Sequence, residues 1–135
     1  MIEEHGDFTE NDEFSPCMML ISEGVQKDNI ATTSYQINVE CDLDETLEEV
    51  LEEFGLENSG YTLESAAIAF LENEYEDLLE QIEGFDTESS TFVAYLFSEE
   101  GMRNIAQALQ KLFTEPKLFR KTVKQNLGFI RDRYD

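Results

Sequence analysis

Carboxylates dominate the chemistry this sequence can offer: 31 of its 135 residues are Asp or Glu, against nine Lys or Arg and one histidine. Paired carboxylates act as general acid and base in glycoside hydrolysis, but at this density spacing singles out no pair. His5 lies in an acidic, aperiodic stretch, a poor place for a histidine proton relay. No Gly-rich phosphate loop, nucleophile elbow or His-Glu-x-x-His motif occurs. Asp42-Leu43-Asp44-Glu45-Thr46 resembles the opening of a calcium loop, with Glu53 at its twelfth position. Its sixth position is Leu47, where the sharp turn needs Gly, and the rest has a helical period, so helix capping is the better reading. Cys17 and Cys41 lack a zinc spacing and sit beside apolar runs, which makes them buried free thiols rather than a disulfide. The residues point to no catalytic site, metal or cofactor.

Charge is more informative than any motif. The formal net charge is −22. Residues 1–101 carry 28 acids and only Lys27, a charge of −27, whereas residues 102–135 carry +5. A field of that sign excludes direct binding to nucleic acid backbone or an anionic membrane, both of which need basic surface. The start of the chain has no positive region followed by an apolar run, and no stretch approaches a membrane span, so the cytoplasm is the expected compartment.

The acids are densest on one predicted helix, 43–54. Leu43, Leu47, Val50, Leu51 and Phe54 form its apolar stripe, and Asp44, Glu45, Glu48, Glu49, Glu52 and Glu53 cover the rest. Like charges four residues apart repel, and Glu52 and Glu53 sit at the negative end of the helix. Burial of the stripe, at roughly 1.5–3 kcal/mol per large side chain, outweighs this. A helix whose outer side is arranged against its own stability is a candidate for docking a basic protein. The candidate contact residues are Glu45, Glu48, Glu49, Glu52, Glu53, Glu57 and Asp86. On 117–124 the opposite sign appears: Lys117, Arg120, Lys121 and Lys124 share a face, for pairing with the acidic body or as a second part of a protein interface.

These faces need a scaffold. Residues 1–13 read as a flexible acidic arm, and residues 14–135 as a single domain. Cys17–Ile21 is apolar on both faces and suits an interior strand; 23–33 reads as a loop; Ser34–Val39 alternates strictly and suits a half-buried strand. After helix 43–54, which Asp42 or Asp44 caps, a second helix runs over 63–82 and ends at Gly84. Thr91–Phe97 is apolar on both sides, a central strand. Ser98 caps a third helix, and Pro116 starts a fourth. The order β-β-α-α-β-α-α lacks the alternation of a parallel sheet. It predicts an α+β fold: a small, mostly antiparallel sheet with about four helices packed on it.

Three segments carry a resemblance. Asn58-Ser59-Gly60-Tyr61, the helix with Ala66-Ala67-Ile68-Ala69-Phe70-Leu71, and Phe85-Asp86-Thr87-Glu88 leading into Phe92-Val93-Ala94-Tyr95 together resemble immunity protein family 51 of bacterial polymorphic toxin systems. The resemblance covers residues 50–113; Ser59, Thr62 and Leu63 depart from the family pattern. It implies a cytosolic, non-enzymatic protein that binds and blocks a cognate toxin domain, nucleases being common among such toxins. A basic nuclease cleft and an acidic inhibitor fit one another. The alternative is an acidic regulator or nucleic-acid mimic unconnected with any toxin. Tyr61, Phe85 and Phe92 read as packing residues.

Overall fold

A computed structural model describes residues 8–28 and 30–133. The strands are β1 (Phe8–Phe14), β2 (Cys17–Lys27), β3 (Ile30–Glu40), β4 (Ile82–Phe85) and β5 (Thr91–Leu96). The helices are α1 (Glu45–Glu53), α2 (Gly60–Glu74), α3 (Glu99–Thr114), α4 (Pro116–Gln125) and α5 (Leu127–Asp132), with a 3₁₀ helix at Glu76–Gln81. The five strands form one antiparallel sheet in the order β1-β2-β3-β5-β4. The fold is α+β.

Alternation decides which side of the sheet is covered. Met19 on β2, Ile37 and Val39 on β3, and Phe92, Ala94 and Leu96 on β5 point the same way and are buried. Leu47 of α1, Leu63 of α2, Leu109 of α3, Phe119 of α4 and Ile130 of α5 join them in a single core. The 3₁₀ helix adds Leu78 and Leu79 at its margin. Gln36, Asn38 and Tyr95 point to the other side, where Gln36 Nε2 donates to Asn38 Oδ1 at 2.7 Å.

Local chemistry starts and stops each helix. At α1, Asp44 rather than Asp42 is the cap: its Oδ1 accepts from the Thr46 N–H at 2.8 Å. Gly55, at φ 70°, ends the helix, as the Leu56 N–H donates to Leu51 O and the Gly55 N–H to Glu52 O. A left-handed residue with those two bonds satisfies the last carbonyls, and Gly adopts that φ at the least cost. Ser59 caps α2 and Ser98 caps α3 through their hydroxyls.

Several segments differ from the expectation. Residues 8–13 of the expected arm lie in β1, which pairs with β2; residues 1–7, with His5, fall outside the described residues. Strands were not expected over most of 23–33, yet β2 and β3 run through that segment as a long hairpin. Gly24 at φ 76° sits at its bulge and Asp28 at φ 55° in its turn. Residues 8–13 are mostly polar and join the sheet through backbone pairing with β2, and 23–33 is punctuated by Gly24 and Asp28, so neither segment shows an apolar period. The expected helix 63–82 stops at Glu74, because Tyr75 (φ −146°, ψ 53°) leaves the helical region. Its ring packs edge-on against Phe70, centroids 5.6 Å apart. Leu78, Leu79 and Ile82 still pack at the margin of the core, so the apolar spacing runs on through the break into β4. β5 is interior, flanked by β3 and β4, but β3 is the central strand. The fourth helix divides at Asn126 into α4 and α5.

The C-terminal end is tied down by charge. Arg133 Nη1 donates to Glu64 Oε2 at 2.6 Å, and the Glu64 side chain is only 1% exposed. Between the sheet and α2, Phe92 fills space under both and its ring tilts against Phe85, centroids 6.2 Å apart. Phe92→Ala should lower the unfolding free energy by about 3–5 kcal/mol, the usual range for a buried Phe, read from urea denaturation.

Candidate docking surface on α1 and α4

Two helices carry the charged faces, and one loop holds the first of them in place. Asn58 Nδ2 donates to Cys41 O at 2.7 Å, at the end of β3, and to Glu48 Oε2 at 3.0 Å, on α1. Ser59 caps α2. The Gly60 N–H donates to Ser89 O at 2.9 Å, in the β4–β5 connection. A Cβ at Gly60 would lie 2.6 Å from the backbone C and O of Thr91, and closer still to Glu88 O. The Asn58-Ser59-Gly60 turn therefore joins α1, α2, β3 and the β4–β5 connection at one point. Because the obstruction is backbone on both sides, Gly60→Ala should destabilise by about 3 kcal/mol, at the upper end of overpacking losses, in urea melts.

Of the predicted contact residues, the structure brings five together on α1. Glu45, Glu49, Glu52 and Glu53 are exposed and Glu48 is half-buried. Glu48 is held by Asn58. Glu53 is held by Arg120, which forks onto it: Nε donates to Oε1 at 3.1 Å and Nη2 to Oε2 at 2.5 Å. The same guanidinium lies 5.4 Å from the centroid of the Phe54 ring. Glu45, Glu49 and Glu52 make no hydrogen bond or ion pair among the described residues, nor does exposed Glu57 on the loop after α1. Asp86 does not join them. It follows β4, with its N–H on Val93 O, beside Tyr95 on the opposite side of the sheet. There, burial first and the Asp86 charge second push the Tyr95 phenol above its usual pKa.

α4 packs beside α1. Phe119 and Val123 are buried under it, as its apolar spacing predicts, and Lys117, Lys121 and Lys124 are exposed. With Arg120 and Gln125 these lysines line a shallow depression of about 560 Å³. The intramolecular pairing considered for this segment exists at Arg120. Nothing local in the sequence marks Arg120 and Glu53 as partners, since they are 67 positions apart. Only the opposed signs of two amphipathic helices could have pointed to the pair.

Other chemistry is sparse. Among the described residues no group of three or more His, Cys, Asp or Glu could hold a metal ion, and the segment 42–53 is cap and helix rather than a calcium loop. Both cysteines are free. Burial pushes the Cys17 thiol up to about 12, and burial followed by the Glu40 charge raises Cys41, so both remain protonated and poorly nucleophilic at neutral pH. Among the described residues, no helix is long and apolar enough to cross a membrane.

The Arg120 fork, and then its charge, hold the Glu53 carboxyl below its ordinary value of 4.5. A depressed acid adds stability above its unfolded pKa and loses it as the pH falls through the folded one. Arg120→Ala should therefore lower the melting temperature at pH 7, and the difference from the parent chain should shrink as pH falls below about 4.5. A difference that persists unchanged at pH 3 would assign the loss to the Phe54 contact instead.

The family model described as Immunity protein 51 matches residues 25–127, from within β2 to the first residue of α5. No curated protein and no solved structure matches the chain. The matched span contains the Asn58–Gly60 turn and both charged helices, and on that match the chain belongs to the Immunity protein 51 family.

Proposed function

We propose that this chain binds a toxin protein in the cytoplasm of the producing bacterium and neutralises it, setting its acidic surface against a basic surface of the toxin. The observation that carries the proposal is the outer face of α1. Glu45, Glu49 and Glu52 are exposed and lack counter-ions among the described residues, on a helix whose like charges repel. Glu57 extends this face. Glu48 supports it, held by the neutral Asn58 amide and so adding charge without being free to reorient, whereas the charge of Glu53 is offset by Arg120. Asp86 stands with the opposite side of the sheet and contributes to the field rather than to a contact with the same partner surface.

A nuclease suits this role because its own substrate demands a basic cleft. Long-range attraction raises association rates toward 10⁸–10⁹ M⁻¹s⁻¹ at low salt, against 10⁵–10⁶ for neutral pairs. Such steering fades as the Debye length falls to about 8 Å at physiological ionic strength.

The test is co-expression with a candidate toxin domain, sought first among the genes beside this one. Cells should survive with the chain and die without it; death in both cases removes the proposal. With a catalytically inactive toxin domain, stopped-flow association should slow steeply as salt rises. Glu49→Lys with Glu52→Lys should slow association by roughly tenfold at low salt, the lower end of steering effects, while leaving the fold intact. Glu48 is left alone because its reversal would disturb Asn58. A flat salt dependence with unchanged rates would eliminate the acidic face as the docking surface.

A further inference from the structure

The lysines of α4 are hard to explain as part of an acidic inhibitor's field. Lys117, Lys121 and Lys124 make no hydrogen bond or salt bridge among the described residues, although α1 and its free carboxylates pack alongside. Only Arg120 crosses to α1, and Lys124 adds its charge to Glu53 from a distance. Spaced three and four apart, these cations repel one another as the acids of α1 do. Lys117 also sits in the first turn, just after Pro116, where the helix end is itself positive. Lys124, in the last turn, is favoured by the negative helix end, but the row of like charges and Lys117 still count against α4. Its cations and Gln125 surround a depression of about 560 Å³, open to solvent, with a neutral donor at its rim.

We propose that this depression receives a carboxylate-bearing segment of the same toxin protein whose basic surface meets α1, an inference that rests on the reading above. The two helices then form one bipolar face, acidic on α1 and basic on α4, with the Arg120–Glu53 fork along its seam. A surface of uniform sign attracts a basic partner in any orientation. A bipolar one penalises every orientation that sets the partner's cations on the lysines, and so selects a single register. Charge complementarity identifies the occupant as a protein carboxylate. A polyphosphate backbone would have to approach through the field of a chain at −22, whereas an acidic segment on a basic protein is carried in by its surroundings.

The proposal makes a prediction of unusual sign. Lys117→Glu, Lys121→Glu and Lys124→Glu together take the net charge from −22 to −28, two units for each replacement. If the chain only presents negative charge to a basic toxin, this variant should bind faster and tighter. If the depression holds a carboxylate, the complex should dissociate at least tenfold faster despite the added attraction. The measurement is surface plasmon resonance with the full chain and the catalytically inactive toxin domain. A triple Lys→Gln variant, with less effect on α4, should show a smaller increase in dissociation rate and serves if the triple Glu variant does not fold. Parent chain that fails to bind overturns the toxin reading. Parent chain that binds while both variants bind as tightly or tighter overturns the role of the lysines alone. A duplex DNA probe, followed by anisotropy, should not bind; binding that the Lys→Gln variant abolishes would identify the depression as a phosphate site and defeat the proposal.

Discussion

Where residue 60 faces the carbonyls of Glu88 and Thr91, there is no space for a methyl group. The closeness of two backbones at that point governs much of the rest. Once Gly60 is seated, Ser59 is in place to begin α2, and Asn58 reaches both the last turn of β3 and the side of α1. The orientation of α1, and with it the direction in which its carboxylates point, follows from a turn that carries no charge. The Asn58-Ser59-Gly60 turn is thus a joint between layers, and its role at the surface is indirect.

Around that joint the molecule separates the work of its residues cleanly. The core is continuous and largely apolar, built from one side of the sheet, one face of the outer helices and most of α2, which is buried nearly all round. Each large side chain buried there contributes roughly 1.5–3 kcal/mol, enough to carry helices whose outer faces repel themselves. Exposed ion pairs such as Arg120–Glu53 are individually modest stabilisers. That pair links the exposed sides of α1 and α4, with Phe54 beneath the guanidinium, while their shared core residues hold the two helices together. Glu64, near the start of α2, and Arg133 make a corresponding tie, with the carboxylate out of water.

How much of this was legible in the sequence depended on whether a residue's role left a periodic trace. Leu47, Val50 and Leu51 repeat at the helical interval and face the core as that interval requires; Ile37 and Val39 do the same at the strand interval. β1 and the far half of the β2–β3 hairpin left no trace, because polar strands held by backbone bonds need no apolar side chains. β4 was hidden for the opposite reason. Leu78, Leu79 and Ile82 continue the apolar spacing of α2 through a change of structure that a single residue, Tyr75, brings about. The acidic face of α1 was readable as a face. Which of its members were already held was not: Asn58 and Arg120 reach Glu48 and Glu53 only after the chain has folded.

β1 gives the acidic composition one further meaning. It lies at the edge of the sheet, with Thr9–Glu13 exposed; Glu10 and Asp12 are among them, and Glu13 is paired with Arg103 at 2.7 Å. An unpaired strand edge is a template for another chain, and proteins commonly guard such edges with charge. A second copy adding a strand there would have to bring its own acids against Glu10 and Asp12. The opposite edge, β4, is only four residues long and includes Glu83. The charge proposed to draw in one basic protein also opposes ordered stacking of this chain upon itself, so that a high concentration need not be bought with a propensity to polymerise.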